Sequence, residues 1–250
     1  MIPATTSAAA NAQGCIFCRR HDGGFTSREH VFPESLGNET VILEPGIVCD
    51  RCNNRPLADV EQALIQFPAV GFLRVLLGHT NKKGERPVMR WNNATVSSLA
   101  ENEILINAEN PAAFRIVEHV GPWVHGKLNF TTGGSVSATR YRKIARALWK
   151  TTLECAYLDH GEMIYETRFD EVREMVVGAR PASGFIVFPK KGPAPTTEVA
   201  LTYQFLNTDL GVALGSTITI GGVPIFTELL HRQFLGDRAR AESVFNIIEF

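Results

Sequence analysis

The sequence contains no run approaching the ~18 uninterrupted apolar residues needed to cross a bilayer, so no membrane partner is expected. Its first fourteen residues, MIPATTSAAANAQG, lack the basic start and apolar core of a secretory signal and the arginines of a transit peptide. A cytoplasmic setting is therefore expected, with 1–14 a small-residue, disordered tail. Excess positive charge is missing too. Lys and Arg number 25 against 26 Asp and Glu, for a net charge of −1, so contact with phosphates has to come from a local patch. No internal repeat is present, and the Pro/Gly stretch at 189–195 is too short for a domain linker. Cysteine is scarce, with five residues. What the chain does have is an ordinary globular mixture, 44% hydrophobic and 20% charged, enough for a sizeable core.

Four of the five cysteines form two Cys-x-x-Cys hooks, Cys15/Cys18 and Cys49/Cys52, which enclose 30 residues. Each hook puts two thiolates on one tight turn, so zinc has only to close the gap between hooks, and paired hooks point to structural zinc far more strongly than either alone. Thiolates reserved for a metal fit a reducing compartment. His21 lies near the first hook, but with four sulfurs available it is expected to be a solvated loop residue. The fifth cysteine, Cys155, sits in an apolar helical pattern and is expected to be a buried free thiol.

Between the hooks runs Glu29-His30-Val31-Phe32-Pro33-Glu34-Ser35-Leu36-Gly37-Asn38, and after the last cysteine Asn53-Asn54. At these residues the chain resembles the HNH nuclease family, of the kind whose ββα-metal fold is pinned by four cysteines. The resemblance covers residues 15 to about 65. It implies that His30 ends a strand and acts as general base, and that Glu29 and Asn53 hold one divalent ion, Mg²⁺ or Mn²⁺. Asn54 is the alternative ligand, one residue of slip away. It also implies cleavage to 5′-phosphate ends. One departure from the family lies about five residues before the third cysteine, where the usual Asn is replaced by Glu44. Asn38 or a backbone carbonyl is left to orient His30. Glu34 is expected to assist the ion through water, if it is more than a turn residue.

The resulting fold class is α+β: an N-terminal zinc-stapled ββα module over 15–68, followed by a larger mixed α+β domain over 69–250. Short strands are expected at 25–32 and 40–43, with a helix starting at Cys52 and continuing to Ile65. Further strands are expected at 88–91, 103–106, 113–120, 127–130, 184–188, 198–206, 212–220 and 223–226, and helices at 137–158 and 169–177. The 137–158 helix carries Arg140, Arg142, Lys143, Arg146 and Lys150 with no acidic residue until Glu154. A solvated face is the ordinary fate of such a stripe. Beside a nuclease module it becomes, with Arg55 in the first turn of the module helix, the candidate surface for nucleic acid, with double-stranded DNA the expected partner. The contrasting class is a non-catalytic zinc-stapled adaptor, which has no need of Glu-His or of Asn after the last cysteine. A zinc-thiolate redox switch lacks a supporting charge environment. Oligomeric state is not legible.

Overall fold

The computed structural model describes residues 13–80, 84–91, 94–100, 103–108, 115–120, 123–127, 137–190, 199–208, 211–220, 222–230, 242 and 244–250. The expected tail at 1–14 lies almost wholly outside these residues. The chain is a mixed helix and strand protein, an N-terminal hairpin-and-helix part followed by further sheets.

The N-terminal part is a minimal hairpin, β1 (Glu29–His30) and β2 (Ile42–Leu43), paired antiparallel with His30 opposite Ile42. The strand expected over 25–32 is shorter because its first half bonds elsewhere. The Asp50 carboxylate accepts from Thr26 N–H at 3.0 Å, Thr26 Oγ1 at 2.9 Å and Ser27 N–H at 2.9 Å. Residues 26–27 are thereby hooked onto the start of the module helix, α1 (Asp50–Ile65). Pro56 supplies no N–H to the Cys52 carbonyl and crowds it. Over Asn53–Leu57 the helix widens into a π turn, closed by Ala58 N–H donating to Asn53 O. Pro68 ends the run and opens α2 (Pro68–Leu77) at its first turn, where proline costs nothing. Gly78, with φ 66°, closes α2.

Next comes a three-stranded antiparallel sheet, β3 (Val88–Trp91), β4 (Ala94–Ala100) and β5 (Glu103–Ala108). A separate hairpin follows, β6 (Arg115–Val120) and β7 (Trp123–Lys127). β4 was not expected; its alternation of buried Ala94 and Val96 with polar Thr95 and Ser97 is a half-buried strand hidden among short polar residues. Of the strand expected at 127–130, only Lys127 is described, as the last residue of β7.

The long helix α3 (Ala138–His160) starts at Ser137, whose side chain accepts from Arg140 N–H. The short helix α4 (Asp170–Val177) follows. The chain then builds a five-stranded antiparallel sheet from β8 (Phe185–Pro189), β9 (Val199–Thr208), β10 (Gly211–Ile220), β11 (Val223–Leu230) and β12 (Phe245–Glu249), in the order β12-β8-β11-β10-β9.

α3 is the keystone. On one side Trp149 Nε1 donates to Thr227 Oγ1 at 2.9 Å and Thr152 Oγ1 to Ser216 Oγ at 2.8 Å, fixing it to the five-stranded sheet. On the other side Thr151 Oγ1 donates to Val31 O, just past β1. A single buried apolar cluster runs from Phe17, Val31 and Leu57 through Leu148 and Trp149 to Ile186 and Leu214, crossing the 68/69 boundary. Tyr165 adds a tie by donating to Gly14 O at 2.9 Å, while the Arg19 guanidinium lies 4.7 Å above the Tyr165 ring.

Candidate active site

The two hooks meet. The Sγ atoms of Cys15, Cys18, Cys49 and Cys52 lie within 4.8 Å of one another. Tetrahedral zinc with sulfurs at 2.3 Å sets them about 3.8 Å apart, and Cys18 Sγ and Cys49 Sγ are separated by 3.6 Å. Cys49 N–H donates to Cys15 Sγ at 3.4 Å, an outer bond that holds a thiolate in place. Four thiols so close cannot all ionise without a cation among them. The hydrogen bond between Cys15 and Cys18 pushes the Cys15 thiol up and pulls the Cys18 thiol down. The backbone permits this closeness only where side chains are absent. A Cβ on Gly23 would stand 2.8 Å from Cys49 Sγ. The donor set fits structural zinc.

His30 ends β1, half-buried, and its imidazole makes no hydrogen bond to any described residue. Asn53, in the π turn of α1, donates through Nδ2 to Arg28 O at 3.1 Å, one residue before Glu29. That leaves its Oδ1, the atom a cation uses, on the β1 side of the helix. Asn54 instead bonds back along its own helix to Asp50 O at 2.8 Å. Asn38 donates to Phe32 O and Val41 O, both at 2.9 Å, and accepts from Val41 N–H. It therefore ties the segment leaving β1 to the one entering β2 without touching the imidazole. Glu34 is exposed in the 3₁₀ turn Glu34–Leu36. Arg55 is exposed.

Glu29 alternates with His30 and so points inward, 4% exposed. Its Oε1 lies 2.6 Å from Lys150 Nζ. Lys150 is 0% exposed and also meets Glu61 Oε1 at 2.6 Å and Glu154 Oε2 at 3.0 Å. Burial raises the Glu29 carboxyl, an effect Lys150 partly offsets. Burial alone would lower Lys150, but Glu154, Glu61 and Glu29 more than reverse it, and the ammonium is held above its usual range. Glu154 is pushed well above the carboxylate range by burial, and neither of its oxygens makes a directional hydrogen bond.

The basic stripe expected on α3 needs correction. Lys150 is sealed inside and cannot reach a phosphate. Arg146 is half-buried and spends its guanidinium on Val176 O at 2.8 and 3.0 Å. Lys143 pairs with Asp59 of α1 at 2.8 Å, and Arg140 donates to Gln66 O. These residues fasten α3 to its neighbours, and of the five only Arg142 is exposed. Sequence reasoning missed the carboxylates facing Lys150. The Lys150–Glu154 spacing of four, beside the hydroxyl pair Thr151-Thr152, was the one available signal.

No curated protein and no solved structure matches the chain. Residues 15–67 match the sequence model of the HNH endonuclease family, and this N-terminal part, with its four-cysteine cluster, is accordingly an HNH endonuclease-family domain.

Proposed function

We propose that the protein is a metal-dependent endonuclease that hydrolyses phosphodiester bonds, with double-stranded DNA as substrate. The HNH-family domain supports a nuclease-type function and implies nucleic-acid binding. The finer reading is supported by the placement of Glu29 and His30 together in β1, with Asn53 of α1 anchored beside them to Arg28 O. His30 serves as general base. An imidazole with an unperturbed pKa near ~6.5 can take a proton from water at neutral pH. Glu29, whose Oε1 is engaged by Lys150, has Oε2 for a cation, and Asn53 has Oδ1. A carboxylate and an amide oxygen are hard donors that suit Mg²⁺ or Mn²⁺ and leave most positions to water and phosphate. Such an ion, when bound, supplies charge neutralisation at the scissile phosphate. The zinc site, closed by four thiolates, takes no part in the chemistry and holds β1 and α1 in register.

Three arrangements favour catalysis over passive binding. Asn38 stiffens the loop behind His30 through three hydrogen bonds. Asp50 clamps residues 26–27. The cations of α3, which an adaptor would display, are mostly spent on intramolecular contacts. The test is nicking and linearisation of supercoiled plasmid by zinc-loaded protein with Mg²⁺ or Mn²⁺. Activity abolished by a chelator that leaves the zinc in place is expected. Binding of the plasmid without cleavage under any divalent ion would replace this reading with that of a zinc-stapled adaptor.

A further inference from the structure

We infer that Lys150, supplied by the helix that follows the HNH-family domain, is a positioning residue that orients Glu29 and the end of β1 for the catalytic ion. The inference rests on the nuclease reading above and deepens it. One ammonium touches both halves of the Glu29-His30 dipeptide. Lys150 Nζ lies 2.6 Å from Glu29 Oε1 and donates to the His30 carbonyl at 2.8 Å. One residue further along α3, Thr151 Oγ1 donates to Val31 O at 3.2 Å. Consecutive residues of α3 thus hold consecutive carbonyls of the chain as it leaves β1.

Lys150 cannot wander from this position. Nζ donates to Glu61 Oε1 and to the His30 carbonyl, pairs with Glu29 Oε1, and Glu154 closes the cage from one turn along the same helix. A carboxylate that binds a metal through one oxygen is oriented by whatever holds the other. Here that partner arrives from outside residues 15–67. The consequence is specific: the ligand geometry of the HNH-family domain is completed by α3, and the two parts of the chain are one catalytic unit.

The experiment uses full-length, zinc-loaded protein and follows Mn²⁺ binding by the electron paramagnetic resonance signal of the free ion, without nucleic acid. Wild type is compared with Lys150→Met, Glu29→Gln, the double variant and Thr152→Val. Loss of a partner that orients a ligand typically weakens metal affinity by about 10–100-fold, and Lys150→Met should fall in that range. Glu29→Gln should weaken binding as well. The double variant should bind no more weakly than Glu29→Gln alone, because the lysine acts through that carboxylate. Thr152→Val, whose hydroxyl meets Ser216 of the five-stranded sheet and not β1, should keep wild-type affinity. In plasmid cleavage, Lys150→Met should raise the Mn²⁺ requirement and leave KM for plasmid unchanged. If Lys150→Met does not fold, the double variant, which removes one charge of each sign, still compares directly with Glu29→Gln. Equal affinities there support the proposal, and a further loss overturns it. Unchanged Mn²⁺ affinity in a folded Lys150→Met also overturns it. A wild type that binds no Mn²⁺ fails at the ion itself and removes the nuclease reading along with this one.

Discussion

Replacing Glu154 by Gln should stabilise the protein at neutral pH and flatten its pH dependence. Glu154 is fully buried, offered no directional hydrogen bond, and shares a single ammonium with Glu29 and Glu61. Its folded pKa is raised well above the ordinary value, and burial is the leading cause. For a carboxyl raised in this way, folding takes up a proton between the unfolded value, near ~4.3, and the higher folded value. Below that window both states are protonated and there is no penalty. Within it, stability falls by about 1.4 kcal/mol per pH unit as pH rises, and above the folded value the penalty is complete. Inside that window the penalty grows with distance from the unfolded value, and the neutral isostere Gln removes it. Denaturant melts of wild type and Glu154→Gln at pH 5, 6, 7 and 8 measure the difference. The two curves should converge toward pH 5 and separate above it, the variant being the more stable. A variant less stable at pH 7 by more than about 1 kcal/mol, with an unchanged pH slope, would mean that Glu154 is ionised in the fold and contributes as a charge.

The remaining expectations are shorter. Cys49→Ser, or stripping the zinc with a strong chelator, should destabilise the whole chain in a single transition, since Cys49 belongs to the buried cluster that also holds α3. Structural zinc is worth on the order of 10 kcal/mol to small modules, so a melt unchanged by zinc loss would refute the metal assignment. Arg142→Glu should weaken plasmid binding and reduce the log–log salt slope by about 0.9 if that residue meets a phosphate, measured by fluorescence anisotropy across salt concentrations. An unaltered slope removes the outer face of α3 from the nucleic-acid surface.

The zinc hooks were legible because each is carried by residues close in sequence, with chemistry that spacing alone restricts. The helices over 138–160 and 170–177 were legible from apolar periodicity. The fate of the basic residues was not. Periodicity places Lys150 off the stripe of Ile144 and Leu148, which implies solvent only if a helix has one covered face. α3 has two, one against the sheet through Trp149 and Thr152 and one against β1 through Lys150 and Thr151. Nothing local reveals the second, because the carbonyl that Lys150 meets lies 120 positions away. Similarly, the strand expected from Phe25 onward is cut short by a carboxylate 24 positions downstream, Asp50, which competes for the backbone donors that a strand would use.

The central claim is that His30 is the base of a metal-dependent nuclease, and it is tested most directly by cleavage rates of His30→Ala and Asn53→Ala against wild type over a range of Mn²⁺ concentrations. His30→Ala should lose ~10²–10⁴ in rate, with zinc content, folding and plasmid binding intact, and no Mn²⁺ concentration should restore it. Asn53→Ala should lose activity that rising Mn²⁺ partly recovers, as expected of a ligand. A wild-type cutting rate in His30→Ala would contradict the assignment of the base and place the chemistry elsewhere in the chain.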